Sequence, residues 1–349
     1  MTMTQTKTTS PAPDERVAKR SPFQKLLGRP EVGALVGAIV LFVFFAAVSP
    51  TFTQPSALAT ILYGSSTIGI MAVGVSLLMI GGEFDLSTGV AVISSALTAS
   101  MFSWYFSTNV WVGVLLALVV SLGIGYVNGW ILMKTKLPSF IVTLATFLML
   151  TGLNLGLTRL IGGSVSSPSI SNMEGFASAR AVFASSVNIG GVDVKITVFI
   201  WFALVAVATW VLMRTRVGNW IFAVGGDANA ARAVGVPVKA TKIGLFMGVG
   251  FCGWILGMHN LFAFDTVQSG EGVGNEFLYI IAAVIGGCLL TGGYGSAIGG
   301  AIGAFIFGMA NKGIVYAQWT PDWFKFFLGL MLLLATIVNL IVKRRAELK

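Results

Sequence analysis

"RTRVGNWIFAVGGDANAARAVGVPVKATK", residues 214–242, is the longest polar stretch in the second half of a chain that is otherwise mostly apolar. It joins hydrophobic runs near 195–213 and 241–263, and the side of the membrane it occupies sets the direction of every other run. Around it, hydrophobic residues make up 56%, charged residues 10%, and glycine fills 43 of 349 positions. A water-soluble domain carries about 25% charge, so this profile specifies a polytopic helical membrane protein.

A bilayer crossing takes roughly 20 apolar residues. That rule gives about ten spans, near 32–49, 57–80, 86–103, 110–133, 139–160, 195–213, 241–263, 276–291, 296–314 and 323–342. With the N-terminus in the cytoplasm, seventeen basic residues fall inside, and only Arg159, Arg180, Lys195, Lys312 and Lys325 fall outside. This positive-inside bias fixes the orientation, because a miscount of one span destroys it. The expected fold is therefore all-α, with about ten transmembrane helices and both termini cytoplasmic. Residues 1–30 are expected to be a disordered cytoplasmic tail, 31–342 the transmembrane domain, and 343–349 a short cytoplasmic tail. The polar, basic start and the first apolar run, with no small-residue cleavage site after it, argue against a signal peptide. The net charge of +9 comes from short clusters beside apolar runs, which suit topology and lipid headgroups; no patch is large enough for nucleic acid. Cys252 and Cys288 lie inside apolar runs and read as small core residues.

Glycine spacing supplies packing chemistry. Gly295, Gly299 and Gly303, Gly125 and Gly129, and Gly253 and Gly257 repeat every four residues, which lets helix backbones approach closely in lipid. Glycine pairs at 81–82, 286–287 and 292–293 also leave room for broken or re-entrant helices, which line paths in transporters. The turns "GGEFDLSTG" and "GGCLLTGGYG" resemble one another and both fall on the cytoplasmic side, whereas an inverted repeat places its copies on opposite faces.

Polar residues at membrane depth are few. Glu83, Asp85 and Glu276 sit at span ends, where an ionisable group is a functional candidate. Asp85-Leu86-Ser87 equally fits a capped helix start, and Glu276 fits electrostatic support of a helix N-terminus. Asn128 and the set Ser139, Phe140, Thr143 and Thr146 place hydrogen-bonding groups and one ring where two consecutive spans meet. They suit either an uncharged polyhydroxylated solute in transit or ordinary interhelical bonding. His259, without a carboxylate or thiol neighbour in sequence, reads as a packed residue and not a metal ligand. The outer loop 161–194 is rich in Gly and Ser and reads as a cap, a docking surface or a linker. No phosphate-binding loop and no Ser/His/Asp set occurs, so nucleotide chemistry falls to another chain.

The opening segment needs a job at its length. "DANAARAVGV" combines helix-forming Ala and Arg with a capping Asp227 and a stop at Gly235, which predicts a short cytoplasmic helix able to dock into a partner's groove.

Four ordered stretches resemble bacterial ABC sugar permeases of the ribose and xylose type. They are "GEFDLSTG", "GYVNGWILMKTKLPSFIVTLAT", "RTRVGNWIFAVGGDANAARAVGVPV" and "NEFLYIIAAVIGGCLLTGGYGSAIGGAIGA". The resemblance implies a membrane-spanning permease in the bacterial cytoplasmic (inner) membrane, itself no enzyme. It implies a homodimer that works with a cytoplasmic ATPase, which binds ATP and Mg, and with an external sugar-binding protein that delivers a monosaccharide (pentose, hexose or cyclitol). On this resemblance Arg214, Arg216, Gly218, Gly225, Gly226, Asp227, Ala230, Ala231, Arg232 and Gly235 form the ATPase coupling region. The pathway candidates are Glu83, Asp85, Ser87, Asn128, Phe140, Thr143 and Glu276. Thr88, Cys288 and Asp227 depart from the family's usual valine, threonine and asparagine. The alternatives are the branch carrying nucleosides or branched-chain amino acids, an ion-coupled secondary carrier using those same three acids, and a channel or scaffold. The sequence does not name the sugar.

Overall fold

The computed structural model describes the backbone of residues 30–347 and the side chains of residues 31–337. The tail expected at 1–30 lies outside the described residues apart from Pro30, as do the side chains of 343–349. A helix stands at each of the ten expected span positions: α1 (Pro30–Val48), α2 (Pro55–Ile80), α3 (Thr88–Phe106), α4 (Val110–Thr135), α5 (Ser139–Gly162), α7 (Ile196–Arg214), α10 (Val238–Phe264), α11 (Asn275–Ile285), α12 (Ala297–Tyr316) and α13 (Phe324–Glu347). Between them lie an outer helix α6 (Phe176–Phe183), a hairpin of β1 (Ser186–Ile189) and β2 (Val192–Lys195), and two helices of the opening segment, α8 (Arg216–Gly226) and α9 (Ala228–Ala233).

Eight helices among the described residues are long and apolar enough to cross a membrane. The expected span at 276–291 is corrected: α11 has eleven residues, about 16 Å at 1.5 Å per residue, half of a hydrocarbon core. Gly286 and the glycines at 287, 292, 293 and 295, all four with positive φ, end it, because only glycine adopts those angles without strain. Residues 265–274, which precede α11, descend without helix and pair at their start with the outer loop, Ser167 N donating to Val267 O at 2.9 Å and Ser269 N to Val165 O at 3.0 Å.

The two central helices are α2 and α10, which contribute most of the main core cluster with α11. Each glycine stripe sits on such a seam. A Cβ on Gly129 would lie 2.8 Å from the Ile243 Cα, one on Gly257 2.6 Å from the Val92 carbonyl, and one on Gly303 would collide with the Ala282 carbonyl. The small side is required, since backbones meet there.

The ends of the bundle sort as the charge pattern demands. Met133 near the end of α4 packs with Val224, Ala231 and Val238 of the opening segment, and Lys242 pairs with Glu83 after α2. At the other end, Val110 N donates to Glu174 O at 3.0 Å, and Phe183 stacks on Phe262 at 5.8 Å. The outer loop is thus a packed cap, with Phe176, Ala179 and Phe183 buried. Within the loop 161–194, "SVNIGGVDVK" forms a hairpin, a Gly-Gly turn separating alternating residues. His259 is a satisfied core histidine as expected, with Nδ1 2.8 Å from Phe183 O and Nε2 3.0 Å from the Tyr63 hydroxyl. Both cysteines are free and buried.

Gly303→Leu should force α11 away from α12 at a cost of about 1–3 kcal/mol. Gly123→Leu, where nothing lies within 4 Å, should not. Thermal unfolding of the two variants in detergent checks the contrast: a lowered midpoint for the first only.

Candidate functional site

Two regions carry the predicted residues: an irregular segment inside the bundle and the opening segment at its basic end.

The chain between α2 and α3, residues 81–87, is not helical. Its backbone donors must therefore find partners within the protein. Hydroxyls one turn apart on α5 supply them: Phe84 N donates to Ser139 Oγ and Leu86 N to Thr143 Oγ1, both at 3.1 Å. Thr143 Oγ1 donates in turn to Ser139 O at 2.8 Å. A second string then crosses three elements. Thr146 Oγ1 donates to Asn128 Oδ1 at 2.6 Å, Asn128 Nδ2 to Ser87 Oγ at 3.0 Å, and Ser87 Oγ to Asp85 Oδ1 at 2.6 Å. Asn128 stands seven residues before the end of α4 and Thr146 seven residues after the start of α5. At 1.5 Å per residue, Ser87 thus lies about 10 Å in from the ends of α4 and α5, so residues 81–87 form a re-entrant segment within the bundle and α3 starts inside it.

Asp85 does not cap α3. The N-cap is Ser87, whose hydroxyl is committed to Asp85, and Asp85 Oδ1 also takes the Ser87 N–H at 2.8 Å, closing a turn before the helix. The expected helix start is therefore shifted: an Asx turn competes with capping because the carboxylate reaches its own backbone two residues on. Phe140 stands apart from these groups in the single chain. It is 54% exposed on the outer surface of the chain and joins none of these groups, although its neighbour Ser139 does.

Glu276 lies elsewhere. Buried in the first turn of α11, it accepts the Gly274 N–H at 3.0 Å through Oε2, as expected for a carboxylate at a helix N-terminus. A Cβ on Gly89 would fall 2.6 Å from Glu276 Oε2, so the starts of α3 and α11 abut. Thr88, the departure noted above, is buried beside them.

At the basic end, α8 buries Gly218, Ile221, Val224 and Gly225 and exposes its other face. Two helices thus stand where "DANAARAVGV" predicts one, and the spacing of these buried residues is the helical stripe that marks the first. Thr215 caps α8, its hydroxyl accepting the Gly218 N–H at 3.3 Å. The second helix, α9, forms where predicted: Asp227 Oδ1 accepts Asn229 N at 2.8 Å and Ala230 N at 3.0 Å, and Gly235 ends the turn at φ +86. Ala231 is buried, while Gly226, Asp227, Ala230, Arg232 and Gly235 face out, as do Arg214 and Arg216. None of the three arginines pairs with an acid among the described residues.

Hydrogen bonds from Ala230 and Asn229 hold the Asp227 carboxyl below its usual 3.8. A depressed folded value stabilises above the unfolded one and is lost as pH falls through it, so the cap is fully in place at neutral pH.

A bundle with a half-length helix and a non-helical re-entrant segment inside, and an exposed helical element at its basic end, has the form of a membrane transport subunit. The family model described as branched-chain amino acid transport system / permease component matches residues 57–336, and the chain belongs to that family, whose members are transporter permeases of the inner membrane and not enzymes. It is 30% identical over 310 residues to the ribose import permease protein RbsC of Escherichia coli (strain K12), covering 88% of this chain and 93% of that one. It is 30% identical over 322 residues to the galactose/methyl galactoside import permease protein MglC of the same strain, covering 88% and 94%. The fructose import permease protein FrcC of Rhizobium meliloti is 26% identical over 315 residues, covering 90% and 86%. No solved structure matches.

Asn128→Leu removes the donor to Ser87 and the acceptor for Thr146 inside the membrane, and should cost about 1–3 kcal/mol. Phe140→Ala should stay within about 0.5 kcal/mol. Thermal unfolding in detergent distinguishes them. Asp227→Ala should speed trypsin cleavage after Arg232 at neutral pH by fraying α9, whereas Asp227→Asn, an equivalent cap, should not.

Proposed function

We propose that this chain is the membrane-spanning subunit of an ATP-driven importer that carries a monosaccharide delivered by an external binding protein. The observation that carries the reading is the near-complete overlap with the ribose, galactose and fructose import permeases. Two copies form the pathway, and a separate cytoplasmic ATPase, which holds ATP and Mg, seats α9 in its cleft. Arg214, Arg216 and Arg232, exposed and unpaired among described residues, meet acids on that ATPase. Glu83, Asp85, Ser87, Asn128, Thr143 and Glu276 border the route, and Phe140, on the outer surface, reaches it only between the two copies. The substrate is an uncharged sugar, a reading supported by the ribose, galactose and fructose named for the similar import permeases.

A second reading, a branched-chain amino acid permease, is favoured by the description of the matching family.

The test is ATP-dependent uptake into vesicles holding the chain, its ATPase and its binding protein, across ribose, xylose, galactose, fructose, inositol, leucine and adenosine. Uptake of one of the first five is expected, and Ala231→Glu, which buries a charge under α9, should abolish it. Uptake of leucine alone supports the second reading; uptake without ATP under an imposed Na⁺ or H⁺ gradient overturns both.

A further inference from the structure

Glu83, which borders the route, pairs with Lys242, a residue with no role in that reading, and the pair joins the two regions of the candidate site. Its side chains retain 14% and 9% of their exposure. The other ion pair between described residues, Arg180 with Asp265, is 52% and 36% exposed at the outer end. Burying opposite charges costs desolvation, so what a buried pair does is read from the elements it joins and not from its energy.

Its position follows from continuous hydrogen bonding. The turn after α9 is closed by Gly235 N to Arg232 O at 3.0 Å and Val236 N to Ala231 O at 3.0 Å. Thr241 N and Thr241 Oγ1 both reach Pro237 O at 3.0 Å, opening α10. Lys242 is four residues after Val238, which packs with Ala231 and Val224, so α9 and Lys242 belong to one stiff unit with the buried face of α10. On the other side, Glu83 lies between Gly82 and Phe84, inside the re-entrant segment that Ser139, Thr143 and Asn128 hold.

A second contact runs beside the pair and contains no side chains. Gly293 N donates to Ile80 O at 2.8 Å. A Cβ on Gly225 would collide with that same carbonyl, one on Gly292 would lie 2.6 Å from the Gly82 Cα, and one on Gly293 would lie 3.1 Å from the Gly226 Cα. The end of α8 therefore rests directly on the backbones of the two resembling glycine turns. Bare backbones set how close α8 can come, and the ion pair ties α10 to the same segment.

We propose that the Lys242–Glu83 pair, acting over this glycine seat, is the link by which movement of α9 reaches the re-entrant segment, which makes Lys242 a positioning residue for transport. The inference rests on the importer reading and adds to it the residue that couples the ATPase surface to the interior. Side chains that connect two sites through rigid elements transmit by holding both to one arrangement, and severing such a link lowers coupling before it lowers assembly.

The test uses the full complex with ATPase and binding protein in vesicles, loaded with ATP and offered a mixture of labelled ribose, xylose, galactose, fructose and inositol. Sugar imported per ATP hydrolysed is compared at equal amounts of monodisperse complex. Lys242→Met and Glu83→Gln should each lower that ratio about fivefold or more, the lower range of a coupling contact. The exchange Glu83→Lys with Lys242→Glu should recover at least half of it. If a single variant does not assemble, the neutral pair Glu83→Gln with Lys242→Gln, which leaves no unpaired charge, is read in its place and should show the same loss. An unchanged ratio, or a loss that the exchange does not recover, overturns the link while leaving the importer reading intact. Failure of the unmodified complex to import any of the five solutes overturns the importer reading and the link together.

Discussion

Hydrocarbon offers no partners to a peptide group, and this chain depends on meeting that constraint where its helices break. Residues 81–87 leave α2 and run through the interior of the bundle without forming a helix. They persist because Ser139 and Thr143, one turn apart on α5, take two of their N–H groups, and because Asp85 and Ser87 satisfy one another under Asn128. Remove the hydroxyl face of α5 and the segment has either to become helix, moving α3 outward, or to admit water. The half-length helix α11 is the matching case from the other side, its start guarded by Glu276.

Breaks of this kind weaken a bundle unless its unbroken helices hold it, and here α2 and α10 do so with glycine seams. The same glycines that permit close approach also decide where motion can pass. Side chains interlock and resist sliding, whereas backbone-on-backbone contacts such as those of Gly82, Gly225 and Gly292 define a seat with little to interlock. That seat lies beneath α8, and α8 carries α9, the part of the chain most exposed to a partner at the basic end. The outer end is built differently: aromatic stacking of Phe183 on Phe262 and the bonds of His259 fasten the cap to α10, giving a rigid outer face.

The sequence alone determined the class of the protein, the ten helix positions, the gathering of basic loops at one end, and α9 with its Asp227 cap and Gly235 stop. These follow from local rules, since apolar length, cap chemistry and glycine angles are properties of neighbouring residues. The tertiary structure alone decided how the polar residues are spent. Phe140 and Ser139 are adjacent in sequence, yet one faces outward and the other holds a distant loop, because helix phase against α3 and α4 is set by packing over the whole bundle. Asp85 has a helix-cap pattern but turns on its own backbone, and the run at 276–291 is apolar enough to span but stops after Ile285 at Gly286 and Gly287, the second at φ +93. Lys242 and Glu83, 159 residues apart, form a pair that no local spacing announces. Composition fixes what must be buried; only the closed bundle, where every buried donor has to find its acceptor, fixes which residue meets which.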